Sequence, residues 1–185
     1  MTGATRRVGP VRRLFPRPGV SERHVQVQAP LADAWRVVAA LPAPGAERWY
    51  ADAAPLAFRG RLDDAARTVL GPPPPAPVAS PGPTAGEGLL RPGDEAGFWT
   101  VLEADPAAYR LRLHARVHAP GTVRLSVWLT ALSGVPGACR VHVRIGFRPR
   151  GLVGAGYLVA DLPAREVVVE GVARRLAADV AAGVA

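Results

Sequence analysis

The chain has 185 residues, with 23 basic against 15 acidic side chains, a formal net charge of +8, 20 Pro, 20 Gly and one Cys. A single Cys, Cys139, excludes an intramolecular disulfide scaffold and a Cys-rich zinc site, which fits a reducing compartment, and the length suits one domain. Every side-chain cation is Arg or His, since no Lys occurs, so the positive charge reflects GC-rich coding as well as any anionic partner.

Residues 1–20 carry Arg6, Arg7, Arg12, Arg13 and Arg17 among prolines, without the apolar stretch of a signal peptide. They are expected to form a disordered basic arm ahead of one domain over 21–183. No window is apolar for the ~18–20 residues that a membrane span needs, and a cytoplasmic protein is expected.

From Glu22 to Gln28 the residues alternate, with Val25 and Val27 on one side and His24, Gln26 and Gln28 on the other, which predicts a half-buried strand. After Pro30, the residues Leu31, Ala34, Trp35, Val38 and Leu41 repeat at helical spacing until Pro42 and Pro44. A weaker helix is expected over about 50–67. The segment 70–87, which contains GPPPPAPVASPGPTAG, reads as a Pro-rich surface loop, because proline removes backbone donors and favours extended conformations.

Phe98 to Glu103 is a short strand candidate, and three longer alternating runs follow. Tyr109, Leu111, Leu113, Ala115 and Val117 share one face of the first, with Arg110, Arg112, His114, Arg116 and His118 opposite. Val123, Leu125, Val127 and Leu129 oppose Arg124, Ser126, Trp128 and Thr130 in the second. Cys139, Val141, Val143, Ile145 and Phe147 oppose Arg140, His142, Arg144 and Arg148 in the third. Short turns at Ala119–Gly121 and Gly134–Gly137 make these an antiparallel meander with one wet and one buried face. The period then becomes helical. A short piece is expected over Gly151–Ala160 and a longer one over Pro163–Ala182, with Leu158, Leu162, Val169, Val172, Ala173, Leu176 and Val180 on one stripe and Glu166, Glu170 and Arg174 on another.

The order of elements, a strand, two helices, a meander and a long last helix, resembles the α+β helix-grip fold of the START-like or Bet v 1-like superfamily, also called SRPBCC. Gly93-Asp94, Phe98-Trp99-x-Val101, Pro120-Gly121, the run Phe147-Arg148-Pro149-Arg150-Gly151-Leu152-x-Gly154-x-x-Tyr157 and Leu162-Pro163 look like a bacterial domain of unknown function, number 2867, within that superfamily. Trp49-Tyr50-Ala51-Asp52 and Arg59-Gly60 echo its earlier signals, and the likeness covers about 20–180. The chain departs from the pattern at Arg116 and His118, where an acidic residue and a Lys usually precede the turn. It departs again at Leu158, and at Ala164-Arg165 where a Phe-His pair commonly follows the Leu-Pro.

The resemblance implies a curved sheet wrapped around the last helix, with a cavity between them that in relatives holds apolar molecules. Its expected lining is Trp99, Val101, Tyr109, Leu111, Leu113, Leu125, Val127, Ile145, Phe147 and Tyr157, joined by Val123, Val141 and Val143. Little in that set moves a proton, and acid–base chemistry would fall to Tyr109, Tyr157, Asp94 or Glu103. Binding of a small hydrophobic or amphipathic molecule is therefore favoured over catalysis, with no cofactor and no metal. The enzyme alternative is a polyketide cyclase, aromatase or dehydratase using the same cavity.

His114 and His118 lie about 13 Å apart on one strand at ~3.3 Å per residue, too far to share an ion. The glycines at 151, 154 and 156 lack the spacing and the βαβ setting of a dinucleotide-binding turn. The outer face, with Trp128 among Arg110, Arg112, Arg116, Arg124, Arg140, Arg144 and Arg148, is a further candidate, as a surface for nucleic acid or a protein.

Overall fold

The computed structural model describes residues 12–13, 19–41, 49, 88–117, 120–152 and 162–183. The helix expected over 50–67, the Pro-rich segment 70–87 and most of the piece over 151–160 lie outside the described residues. The described strands form one curved antiparallel sheet in the order β1-β2-β7-β6-β5-β4-β3. They are β1 (Arg12–Arg13), β2 (Val20–Val27), β3 (Glu95–Ala96), β4 (Trp99–Asp105), β5 (Arg110–Ala115), β6 (Gly121–Ala131) and β7 (Cys139–Pro149). Helix α1 spans Leu31–Val38 and helix α2 spans Leu162–Gly183. An antiparallel sheet crossed by a long C-terminal helix is the helix-grip arrangement.

Arg12 and Arg13 form β1, with Arg12 opposite His24 and Arg13 opposite Arg23. Helix α1 stops three residues before the expected Leu41, which is 47% exposed. The chain leaves the helix because it is needed elsewhere: Ala40 bridges to Leu89, and the Leu41 amide donates to the Gly88 carbonyl at 2.7 Å.

Side-chain alternation places the meander as its periodicity requires. Leu111, Leu113, Leu125, Val127, Val141, Val143 and Ile145 are all buried on the inner face. Their burial makes register costly to change, since a slip of one residue would carry every one of them to the outer face. A bulge between Val101 and Glu103 shifts the parity of β4. Trp99 and Val101 pair with Ala115 and Leu113, whereas Glu103 pairs with Arg112 and Ala104 with Leu111. Trp99, Val101 and Ala104 are thus inward and Glu103 outward.

The Pro-Gly turn before β6 has a steric reason. Gly121 lies opposite Pro149, and a Cβ there would overlap the Arg148 carbonyl oxygen and come within 2.7 Å of the Phe147 ring. Only a residue without a side chain lets the two strand ends close, and the Arg150 amide then donates to the Pro120 carbonyl at 2.8 Å.

Helix α2 packs principally on β2 and β7, while α1 packs on β6 and on α2. Val169, Val172, Ala173, Leu176 and Val180, five of the residues expected on one stripe, are buried. Each of the larger ones contributes about 1.5–3 kcal/mol when taken out of water.

Candidate functional site

The inner face between β4 and β7 is the concavity that the expected lining should occupy. Trp99, Val101, Leu111, Leu113, Leu125, Val127, Ile145 and Phe147 are all buried there. Tyr109 sits in the turn before β5 with a positive φ of 48°, rather than inside the strand, and its backbone carbonyl accepts from Leu129. It still belongs to the inner side, because its ring meets Trp35 of α1 edge-on at 6.2 Å. Tyr157 lies outside the described residues.

Two acid candidates do other work. The Asp94 carboxylate accepts from the Arg91 amide at 2.7 Å and closes a turn. The bulge sends Glu103 to the outer face, where it accepts from Arg110 at 2.6 Å and pairs with Arg112 at 3.1 Å. Cys139 is wholly buried, and burial raises its thiol pKa to about 11, so it is a small core side chain. Among the described residues no group of three His, Cys, Asp or Glu is placed to hold a metal.

The expectation of an inner face almost free of polar groups fails at one end. The alternation that buries Val25 and Val27 continues back to Arg23 and Ser21, each 1% exposed beneath the start of α2. Arg23 is held from three sides. Its Nε donates to Glu170 at 2.9 Å, one terminal nitrogen donates to Glu166, and the other donates to the Glu22 carbonyl at 2.8 Å. Glu170 also accepts from Arg174 at 3.0 Å.

Beside this cluster lies Arg165, 4% exposed, whose Nε donates to the Ser21 hydroxyl at 2.9 Å. Burial pushes the Glu166 carboxyl pKa up, but hydrogen bonds from Ser21 and Arg23 and the charges of Arg23 and Arg165 outweigh it, and the net shift is downward. The signal for the cluster was present in the sequence: two steps of period-two extrapolation from Val25 reach Arg23 and Ser21.

The outer face is less cationic than its composition suggests. Arg110 and Arg112 pair with Glu103, Arg116 with Glu95, and Arg144 with Glu22. Trp128 stacks on His142 with ring centroids 4.7 Å apart, and the Arg144 guanidinium lies 5.0 Å from the Trp128 ring. His142 is held neutral. Burial lowers its pKa to about 4, assisted by His24, Arg140 and Arg144. His114 points outward as expected yet is buried, and burial followed by the Arg124 charge lowers its pKa too.

An open cleft of about 480 Å³ lies away from the concavity, where Pro30 and Leu31 face Leu132, Val135 and Pro136 of the β6–β7 turn.

Among solved structures, the chain is similar to a protein from Thermobifida fusca at 17% identity, covering 85% of this chain and 93% of that one with a TM-score of 0.41. It is also similar to the Zhui aromatase/cyclase from Streptomyces sp. R1128 at 17% identity, covering 92% and 96% with a TM-score of 0.40. Ara h 8.0201 is similar at 12% identity, covering 91% and 99% with a TM-score of 0.39. No curated protein matches the sequence. Residues 20–172, most of the chain, match the model of the family described as protein of unknown function (DUF2867), and the chain belongs to that family.

Proposed function

We propose that this protein binds a small hydrophobic or amphipathic molecule in the concavity between the sheet and its helices. The observation that carries this reading is the continuous apolar lining from β4 to β7, set against the principal tracks of the two described helices over β2, β6 and β7. Trp99, Val101, Leu111 and Leu113 give the inner faces of β4 and β5 a buried, apolar surface. A molecule seated there would be held by burial, at roughly 25 cal/mol per Å² of apolar surface. Tyr109, at the rim beside Trp35, is placed to orient it through its hydroxyl.

Binding is favoured over turnover by the chemistry of the lining. Asp94 and Glu103 are engaged elsewhere, and the remaining lining side chains of β4 to β7 are hydrocarbon apart from the Trp99 indole.

Native mass spectrometry of protein purified from its own host tests the reading. A co-purifying small molecule is expected, lost from Leu111→Trp, whose larger ring fills the space while the chain stays folded by circular dichroism. Wild-type protein that is free of any adduct, or an adduct retained in full by the folded variant, overturns it.

A further inference from the structure

Resting on that reading, we propose that Arg165, with the Ser21 hydroxyl, forms a binding site for an anionic group, the carboxylate of an amphipathic ligand being the form that suits the apolar concavity. Arg165 is 4% exposed, and its one hydrogen-bond partner among the described residues is the neutral Ser21 hydroxyl. Its two terminal nitrogens are enclosed and without a hydrogen-bond partner among the described residues.

The Arg165 charge acts on Glu166, but no salt bridge joins Arg165 to an acid among the described residues. Both Glu170 oxygens are taken by Arg23 and Arg174, and one Glu166 oxygen is taken by Arg23. The other, Glu166 Oε1, is buried and forms no hydrogen bond of normal geometry among the described residues, although Ser21 and the Arg165 charge act on this carboxylate. A carboxylate that takes the Arg165 pair would satisfy the donors, and a bound water or ligand hydroxyl could satisfy Glu166 Oε1.

Position adds a second reason. Arg165 lies in the first turn of the 22-residue helix α2, and that turn contains no acidic side chain, Glu166 being the next residue. The partial positive charge of a helix N-terminus favours anions and disfavours cations. A buried cation in that turn is unfavourable twice over, by desolvation and by the helix dipole, and one anion relieves both. The planar guanidinium offers its free nitrogens side by side, which matches the two oxygens of a carboxylate. Ser21 lies opposite Ile145, and Phe147 follows along the same inner face of β7, so the charged end adjoins the apolar lining.

The test titrates full-length protein with decanoate, with 1-decanol of equal length, and with acetate, following intrinsic tryptophan fluorescence and thermal midpoint. Wild type is expected to bind decanoate at least tenfold more tightly than decanol. Arg165→Met, which keeps the volume and removes the charge, should bring the two to equal affinity and raise the ligand-free midpoint. Arg165→Lys should keep part of the preference. A midpoint shift by acetate as large as that by decanoate, absent in Arg165→Met, assigns the site to a free anion, whereas a shift by decanoate alone assigns it to a head group. Equal binding of decanoate and decanol by wild type overturns the anion site and leaves the ligand reading standing. Retention of the preference in Arg165→Met also overturns it, and failure of both amphiphiles to bind overturns both readings. If Arg165→Met does not fold, the decanoate-to-decanol ratio of wild type and of Arg165→Lys decides alone.

Discussion

Glu22 and Arg23 are neighbours on β2 and each joins an ion pair, yet they face opposite sides of the sheet. Glu22 meets Arg144 on the outer face, where the arginine side chain is 49% exposed, while the Arg23 side chain is 2% exposed between the sheet and α2. The same chemistry therefore operates in two dielectrics. On the outer face water reaches Arg144 and can replace its partner. On the inner face a lost partner leaves a charge that water cannot reach.

The strongest way to break this comparison is to remove one side of the buried cluster. Replacing Glu166 and Glu170 together by Ala should destabilise the protein by about 3–5 kcal/mol, because the Arg23 side chain, 2% exposed, then keeps its charge without the carboxylates that compensate it. Urea denaturation followed by far-UV circular dichroism measures this. A loss below about 1 kcal/mol would show that the inner pair behaves like a surface pair.

A steric contrast comes next. Gly121→Ala adds one methyl group where the Arg148 carbonyl and the Phe147 ring already close the space, and about 1–3 kcal/mol of stability should be lost. The midpoint in urea should fall at an unchanged slope, since the same surface is exposed on unfolding. Gly134, which has nothing within contact range of an added Cβ but a φ of 78°, tests strain without overlap.

How much of this was legible depended on period. Alternation in β5, β6 and β7 predicts which side chains are buried because each strand has one wet and one dry face, and Leu111, Val127 and Ile145 obey it. Alternation failed at Glu103 because a bulge adds a residue that no hydrophobic pattern announces. At β2 the same period runs back from Val25 and Val27 to Arg23, an arginine on the buried side. Its burial makes sense only when Glu166 and Glu170, 143 and 147 residues later, are brought alongside. Long-range charge pairing of that kind is set by the tertiary fold and leaves no local signature. Tyr109 illustrates a third case: its residue type fits a strand, but its positive φ belongs to a turn.

The outer face carries its own pH dependence. His142 and His114 both have pKa values lowered by burial, His142 to about 4, so the unfolded chain takes up protons at a higher pH than the native one. Stability is then fully present above pH ~6.5, the ordinary histidine value, and falls as the pH is lowered toward 4, by at most about 1.4 kcal/mol per pH unit for each proton. Thermal midpoints at pH 7.5 and 5.0 should differ less in His142→Gln than in wild type. An unchanged difference would place the dependence elsewhere.

The smallest effect belongs to the pair that opened the comparison. Glu22→Gln should cost no more than about 1 kcal/mol, within the range of exposed ion pairs. Two features keep it low: the charge left behind is that of Arg144, which is 49% exposed, and Arg144 retains the Trp128 ring 5.0 Å away after its partner is neutralised. Arg144→Ala removes both contacts and should cost more than Glu22→Gln, with the excess persisting at 0.5 M salt, where the Debye length is on the order of 4 Å and an exposed pair is largely screened. If the two variants instead lose equal stability, and both losses vanish in salt, the ring contact contributes nothing and the outer face is held by screened charge alone.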